Sequence, residues 1–323
     1  MSEEDAPKKA TFSDVMLRRL KFKPLLIFDR VFQRRSILHA AHELHLTQSA
    51  VTKAVRELED DLGVQLFQRT NRGVEPTAYG LLLGARVKLV IAEVRYLADE
   101  LNAFRSAETG HVIVGTLIAG SAKLLPLAIA ELKRRAPGVL VTVREGVADT
   151  LYPALATGEL DLVVGRLPGR GHPVARNFPL EHERLFTESF CLVVRRDHRM
   201  MTISAPVLAD TLDSLWILPV PESPARLVAE DLFANAGLDL PTHRIESMSL
   251  FTNLGLITHA DACCLMPRGA FQLLNAGGQI SEVPIAGVDR FGDVGLSLRS
   301  GHRLSPAAHL LTETLRSVAN TMS

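Results

Sequence analysis

Residues 36–76 read SILHAAHELHLTQSAVTKAVRELEDDLGVQLFQRTNRGVEP, and this stretch decides the architecture of the N-terminal part of the chain. Two short helical patterns flank a turn at Leu44-His45-Leu46-Thr47. The first places Ile37, Ala40, Ala41 and Leu44 on one face at helical spacing. The second opens at Thr47, a good N-cap because its hydroxyl takes an amide that the first turn leaves without a partner. Its apolar face is Val51, Ala54, Val55, Leu58 and Leu62. The other face carries Gln48, Ser49, Thr52, Lys53 and Arg56, with no carboxylate until Glu57 and Glu59. The pattern is a helix-turn-helix whose second helix is core on one side and polar and cationic on the other.

After Gly63 the pattern changes. Residues 64–67 read as a short strand, Arg69-Thr70-Asn71-Arg72-Gly73 as a turn, and residues 74–77 as the returning strand. A hairpin wing with Arg69 and Arg72 suits phosphate or minor-groove contact. A solvated basic loop on a small helical domain is the alternative. Lysine plus arginine and aspartate plus glutamate both count 36, so the whole chain is neutral. Residues 18–76, however, hold 11 basic and 7 acidic residues, a local net charge of +4. A basic module on a slightly acidic body fits specific nucleic-acid binding better than a general polycation does.

The same segment closely resembles the winged helix-turn-helix of LysR-type transcriptional regulators. The matching features are Ala40-Ala41, Leu44, Thr47-Gln48, the run from Ala50 to Leu58, Leu62-Gly63, Leu66-Phe67, Arg69, Arg72-Gly73, Pro76-Thr77 and Gly80. One departure is Ser49, where the family usually carries proline; a serine there gives up the fixed first turn and adds a donor toward DNA. The resemblance implies promoter DNA, a second copy of the chain and RNA polymerase as partners.

Residues 1–17 read as a flexible extension, acidic then basic, with no apolar core of the kind a signal peptide needs. No stretch has the length and apolarity of a membrane span, so the expected compartment is the cytoplasm. The winged domain is expected over residues 18–76, with a supporting helix at residues 21–33 that turns Leu25, Phe28, Val31 and Phe32 inward. Arg34 and Arg35 at its end suit the helix dipole or a phosphate.

Residues 77–107 predict one long helix, a linker of about 45 Å if it runs to about 30 residues. Leu83, Val87, Val90, Val94, Leu97, Leu101 and Phe104 make an a/d stripe along it. Such a stripe is buried either against its own chain or against a second copy, and its place beside a reading module favours a dimer seam. The resemblance implies the same pairing, with effector lobes joining dimers into a tetramer.

Residues 108–323 alternate strand and helix, which predicts an α/β domain with parallel sheets covered on both faces. A turn-rich break, GRLPGRGHP from Gly165, divides it into lobe one (about 108–172 and 284–323) and lobe two (about 173–283). LVVGRLP from Leu162 and ESMSLFTNLGLITHADACCLMPR from Glu246 resemble the periplasmic-binding-protein-like effector domain of the same family. LVVGRLP is also similar to regulators of sugar uptake and aromatic-acid catabolism.

In open α/β sheets ligands bind beyond the carboxyl ends of strands. That rule selects Ser121, Gly165, Arg166, Ser223, Ser247 and Ser249 as candidate effector-binding residues. Each serine alone also reads as a cap or turn residue; their convergence is the claim. The groups suit a small carboxylate or a sugar, with Arg166 favouring the anion.

Two other function classes fit less well. An exported solute-binding protein lacks a leader and leaves the basic helix face unexplained. An enzyme needs a constellation the chain does not show: neither a GxSxG elbow nor a GxxxxGK(S/T) loop occurs, and no histidine pair carries metal-ligand spacing on a convincing helix. No cofactor or metal is expected. His42 and His45 read as packing or solvated residues, and Cys191, Cys263 and Cys264 as core thiols rather than a disulfide framework.

Overall fold

The computed structural model describes residues 20–70, 73–105, 110–169, 178–221, 223–288 and 292–322. The extension at residues 1–17 lies outside them. The chain divides into two compact units, Met1–Arg95 and Tyr96–Ser323.

In the first unit, α1 (Phe22–Arg34) buries Leu25, Ile27, Phe28 and Val31. It stops where Arg35 turns left-handed (φ 51). Ser36 then caps α2 (Ile37–Glu43), its hydroxyl accepting from the His39 amide at 3.3 Å. Thr47 caps α3 (Gln48–Leu62) in the same way, accepting from the Ala50 amide at 3.2 Å. Gly63 ends α3 in the left-handed conformation (φ 68) that glycine adopts without a Cβ clash. The wing is the antiparallel pair β1 (Phe67–Thr70) and β2 (Gly73–Pro76). β1 starts later than residue 64 because Glu59 of α3 captures the Leu66 and Phe67 amides, at 2.7 and 3.1 Å. Phe28 packs against Phe67 with the rings tilted and their centroids 5.2 Å apart, joining α1 to the wing within one core that includes Val51, Val55, Leu58 and Leu66.

α4 (Ala78–Arg105) follows the wing and is the long helix expected at residues 77–107. Its stripe divides. Val87 is buried and Leu83 half-buried in the core of the winged domain, so these two belong to the fold of their own chain and not to a seam. Val90, Val94, Leu97 and Leu101 are exposed, Leu97 at 56% and Leu101 at 57%. The Phe104 side chain lies outside the described residues. The difference arises because the wing and α1 cover the first turns of α4 on one side: Phe32 reaches Gly84, where an added Cβ would stand 2.7 Å from its ring.

The second unit holds two five-stranded sheets. The first has the order β4 (Val139–Glu145), β3 (Gly110–Thr116), β5 (Leu162–Arg166), β12 (Gly292–Arg299), β6 (Leu180–Glu188). The second has the order β11 (Ile280–Val283), β7 (Phe190–Arg195), β10 (Ala262–Pro267), β8 (Leu215–Leu218), β9 (Arg244–Glu246). The sheets are mixed, not parallel throughout. Strands linked by helical crossovers are parallel, β3 with β4 and β5, and β8 with β9 and β10. Those that return from the other lobe, β12 and β7, pair antiparallel with their neighbours.

The lobe boundary also moves. β6 pairs with β12 along its length, so lobe one extends through Glu188, and the chain crosses to lobe two at Ser189. β6 (LEHERLFTE) carries no clear strand pattern in the sequence because it is an edge strand dense in charge, the composition that protects an edge from further pairing. Glu183 of β6 makes a two-pronged ion pair with Arg316 of α11 (Pro306–Met322), at 2.9 and 2.7 Å.

Lobe one packs α6 (Leu124–Arg135) and α11 on one face of its sheet through Leu124, Leu132, Leu311 and Leu315. The other face carries α7 (Ala148–Ala156) through Leu151, Tyr152 and Leu155. Lobe two packs α8 (Pro224–Asn235) over Trp216, whose ring meets Phe233 edge-on at 5.1 Å. On its opposite face α9 (Leu250–Ala260) covers Cys191, Cys264 and Ile280, with Phe271 of α10 (Arg268–Leu274) packed beside them.

Candidate functional site

The solvent face of α3 is one candidate surface. Gln48, Ser49, Thr52, Lys53 and Arg56 line a single shallow groove along the helix, joined by Glu57 and Asp60 at its far end. The first turn holds no acidic residue, so the positive end of the helix dipole adds to the lysine and arginine. Gln48 and Arg56 are exposed. Thr52 donates its hydroxyl back to the Gln48 carbonyl at 2.9 Å, which leaves its oxygen as an acceptor. Lys53 pairs with Glu57 at 3.7 Å. Ser49 Oγ lies 3.0 Å from Thr47 Oγ1, so its hydroxyl is engaged with the capping residue. The expected outward donor is therefore shared, because Thr47 and Ser49 start the same helical turn. Arg69 is exposed on β1; Arg72 lies outside the described residues. Arg34 is held by Glu43, whereas the Arg35 guanidinium lies over Phe32 at 4.7 Å.

The second candidate is a cavity of about 80 Å³ between the lobes. Lobe one contributes Leu117, Ile118, Ala119, Ala148, Tyr152 and the turn Arg166-Leu167-Pro168. Lobe two contributes Ser223, Ser247, Met248, Leu250, Asn253 and Met266. Of the expected residues, Arg166, Ser223 and Ser247 meet here. Burial lowers the pKa of the Arg166 guanidinium, which nonetheless stays charged. Gly292 leaves room for it: an added Cβ would stand 3.3 Å from Arg166 Nε. Ser223 caps α8, accepting from the Ala225 amide at 3.2 Å, and Ser247 Oγ accepts from the Ser249 amide at 3.2 Å.

Ser121, Gly165 and Ser249 do not line the cavity. A short helix, α5 (Ile118–Ser121), follows β3, and Ser121 ends it with its hydroxyl turned back to the Ile118 carbonyl at 3.0 Å. It therefore caps nothing at the cleft. Gly165 (φ 153) serves close packing, since a Cβ there would meet Leu117 Cβ at 2.7 Å. Ser249 caps α9, accepting from the Thr252 amide at 3.3 Å.

Sequence reasoning missed Tyr152, Phe190 and Asn253. Asn253 carried a readable signal: it sits in phase with Leu250 and Ile257, a polar residue on the apolar face of α9. Tyr152 is buried, its hydroxyl 3.4 Å from the Arg166 carbonyl, and burial raises its pKa. Among the described residues no group of three or more His, Cys, Asp or Glu could hold a metal ion, and no helix is long and apolar enough to cross a membrane.

Two family models match the chain. Residues 22–81 match the bacterial regulatory helix-turn-helix protein, lysR family, and residues 105–320 match the LysR substrate binding domain. The transcriptional regulator GbpR of Azospirillum brasilense is 30% identical over 94% of this chain and 88% of its own. GalR of Pseudomonas putida is 32% identical over 91% of this chain and 73% of its own. Among solved structures, a full-length single-residue variant of OxyR from Pseudomonas aeruginosa superposes with a TM-score of 0.68 at 23% identity, covering 92% of this chain and 98% of that one. CbnR complexed with its target DNA gives 0.66 at 22% identity, covering 93% of this chain and 100% of that one. The chain thus belongs to the LysR family: it is a DNA-binding transcriptional regulator, not an enzyme, with an N-terminal helix-turn-helix domain and a two-lobed α/β effector-binding domain.

Proposed function

We propose that this regulator works in the cytoplasm as a homodimer joined along α4 and paired into a tetramer through its effector lobes. It binds promoter DNA, responds to a small carboxylate or sugar in the inter-lobe cavity, and acts on RNA polymerase at the promoter. The observation that carries the reading is the capped, solvent-facing surface of α3, where Gln48, Thr52, Lys53 and Arg56 share one groove. A glutamine at a helix start pairs with both N6 and N7 of adenine, and the cations hold phosphate or guanine. CbnR, a fold neighbour, is complexed with its target DNA, which supports operator DNA as the partner here.

The exposed stripe Val90, Val94, Leu97 and Leu101 supports the dimer. Exposed Leu140 and Val143 on β4, at the edge of the first sheet, support a second contact between lobes. Genomic fragments selected on the purified protein and then footprinted test the reading. Two protected half-sites on one face of the duplex are expected, and enrichment no greater than with random DNA would sink it. Sedimentation of the same sample reports dimer or tetramer.

A further inference from the structure

Asn253 is 6% exposed and forms part of the cavity wall. Its Nδ2 lies 3.9 Å from Cys264 Sγ, a weak contact, and its Oδ1 has no hydrogen-bond partner among the described residues. Buried amides that serve the fold have partners for both ends, and an open buried acceptor is unfavourable. Among the neighbouring polar groups, Ser223 and Ser247 accept from backbone amides and keep their O–H groups to donate, and the Tyr152 hydroxyl donates to the Arg166 carbonyl. Around Asn253 the wall is apolar, formed by Leu117, Phe190, Leu265 and Met266, with the Arg166 guanidinium contributing the charge. Five N–H donors leave that guanidinium able to serve a ligand besides any protein partner.

We propose that Asn253 is an effector-recognition residue and that the effector is a small carboxylic acid with a flat apolar body and a hydroxyl group. The carboxylate goes to Arg166, the body lies against Leu117, Phe190 and Leu265, and the hydroxyl donates to Asn253 Oδ1. A sugar of similar size carries more hydroxyls than Ser223, Ser247, Arg166 and Asn253 can pair, and the remainder would be left against apolar walls, a strong penalty in a buried site. The inference rests on the reading that the inter-lobe cavity is the effector site.

The test uses the full-length protein with benzoate, 4-hydroxybenzoate and galactose as probes, read by calorimetry and thermal shift. 4-Hydroxybenzoate should bind on the order of tenfold tighter than benzoate, the worth of one well-placed hydrogen bond. Asn253→Leu should bring that ratio to about one while leaving benzoate binding in place, and Arg166→Gln should weaken both acids. Asn253→Ser, a smaller change, should reduce the ratio in the same direction if the leucine variant does not fold. A ratio unchanged in both Asn253 variants overturns the assignment. Stabilisation by galactose alone, or by none of the three probes, overturns the ligand class. Ala148→Trp separates the two levels of the argument by filling the cavity. Binding that survives it refutes the cavity as the site; binding lost there, with a ratio indifferent to Asn253, refutes only the role of Asn253.

Discussion

The Val74 amide donates to the Arg35 carbonyl at 3.0 Å, so the wing is hydrogen-bonded to the turn between α1 and α2. The bond depends on two backbone conformations outside the usual range, Arg35 at φ 51 and Gly73 at φ 141. It places the basic hairpin and the helix-turn-helix in one rigid unit, with Arg69 held by the sheet rather than by a loose loop.

Gly73→Ala should break that joint. A Cβ at Gly73 would stand 2.4 Å from the Arg35 carbonyl oxygen, while one at Gly63 meets nothing within 4 Å. Gly73→Ala is expected to cost the winged domain about 1–3 kcal/mol through strain and the lost contact. Gly63→Ala bears only the left-handed backbone penalty, about 1 kcal/mol. Urea midpoints of the two variants check the order, and Gly73→Ala as the milder change would contradict this geometry.

Base reading and backbone binding should separate by mutation. Gln48→Ala should cost about 1–3 kcal/mol at one base position and relax selectivity there. Arg69→Ala should weaken all sequences alike and lower the slope of log K against log salt by about 1. Fluorescence anisotropy over operator variants and salt series measures both. Wild-type selectivity in Gln48→Ala would rule out base readout by that residue.

The divided stripe on α4 predicts two kinds of variant. Val90→Glu with Leu97→Glu should give folded monomers that lose operator binding, since two half-site contacts no longer act together. Val87→Ala should instead lower stability by about 1–3 kcal/mol and leave the assembly intact. Sedimentation and denaturant unfolding distinguish them, and a double glutamate variant that still dimerises would place the main seam elsewhere.

Acid should loosen the edge strand of lobe one. The hydrogen bonds from Arg316 hold the Glu183 carboxyl below its ordinary value of 4.5, against a smaller opposing effect of burial. A carboxylate with a lowered folded pKa stabilises the fold above its unfolded pKa, and that contribution is lost as pH falls through the folded one. The stability difference between wild type and Glu183→Gln should therefore be level near neutrality and shrink below 4.5. Urea unfolding along a pH series shows whether it does.

The thiols should be silent in the native protein. Burial pushes the Cys191 pKa up to about 12 and that of Cys263 to about 11, and raises that of Cys264 as well. Iodoacetamide near neutral pH should modify none of the three until the protein is unfolded, because the thiolate is the reacting species. Labelling of any one in the folded state, read by mass spectrometry, would contradict its place in the core.

What the sequence determined by itself was local. Helix phase, the Thr47 cap and the Gly63 stop all depend on residues within a turn or two of each other, and each stands in the structure where its pattern lies. The polar face of α3 was legible for the same reason: one helix carries all of it. The tertiary structure decided what depends on neighbours distant in the chain. It assigned Leu83 and Val87 to the core of their own domain, because the cover over α4 comes from α1 and the wing. It brought β6 into lobe one, since an edge strand takes its partner, β12, from more than a hundred residues away. It also chose among the candidate serines. A serine before a helix reads the same whether its hydroxyl closes a cap or faces a ligand, and only the approach of the two lobes kept Ser223 and Ser247 in the cavity wall, excluded Ser121 and Ser249, and added Asn253.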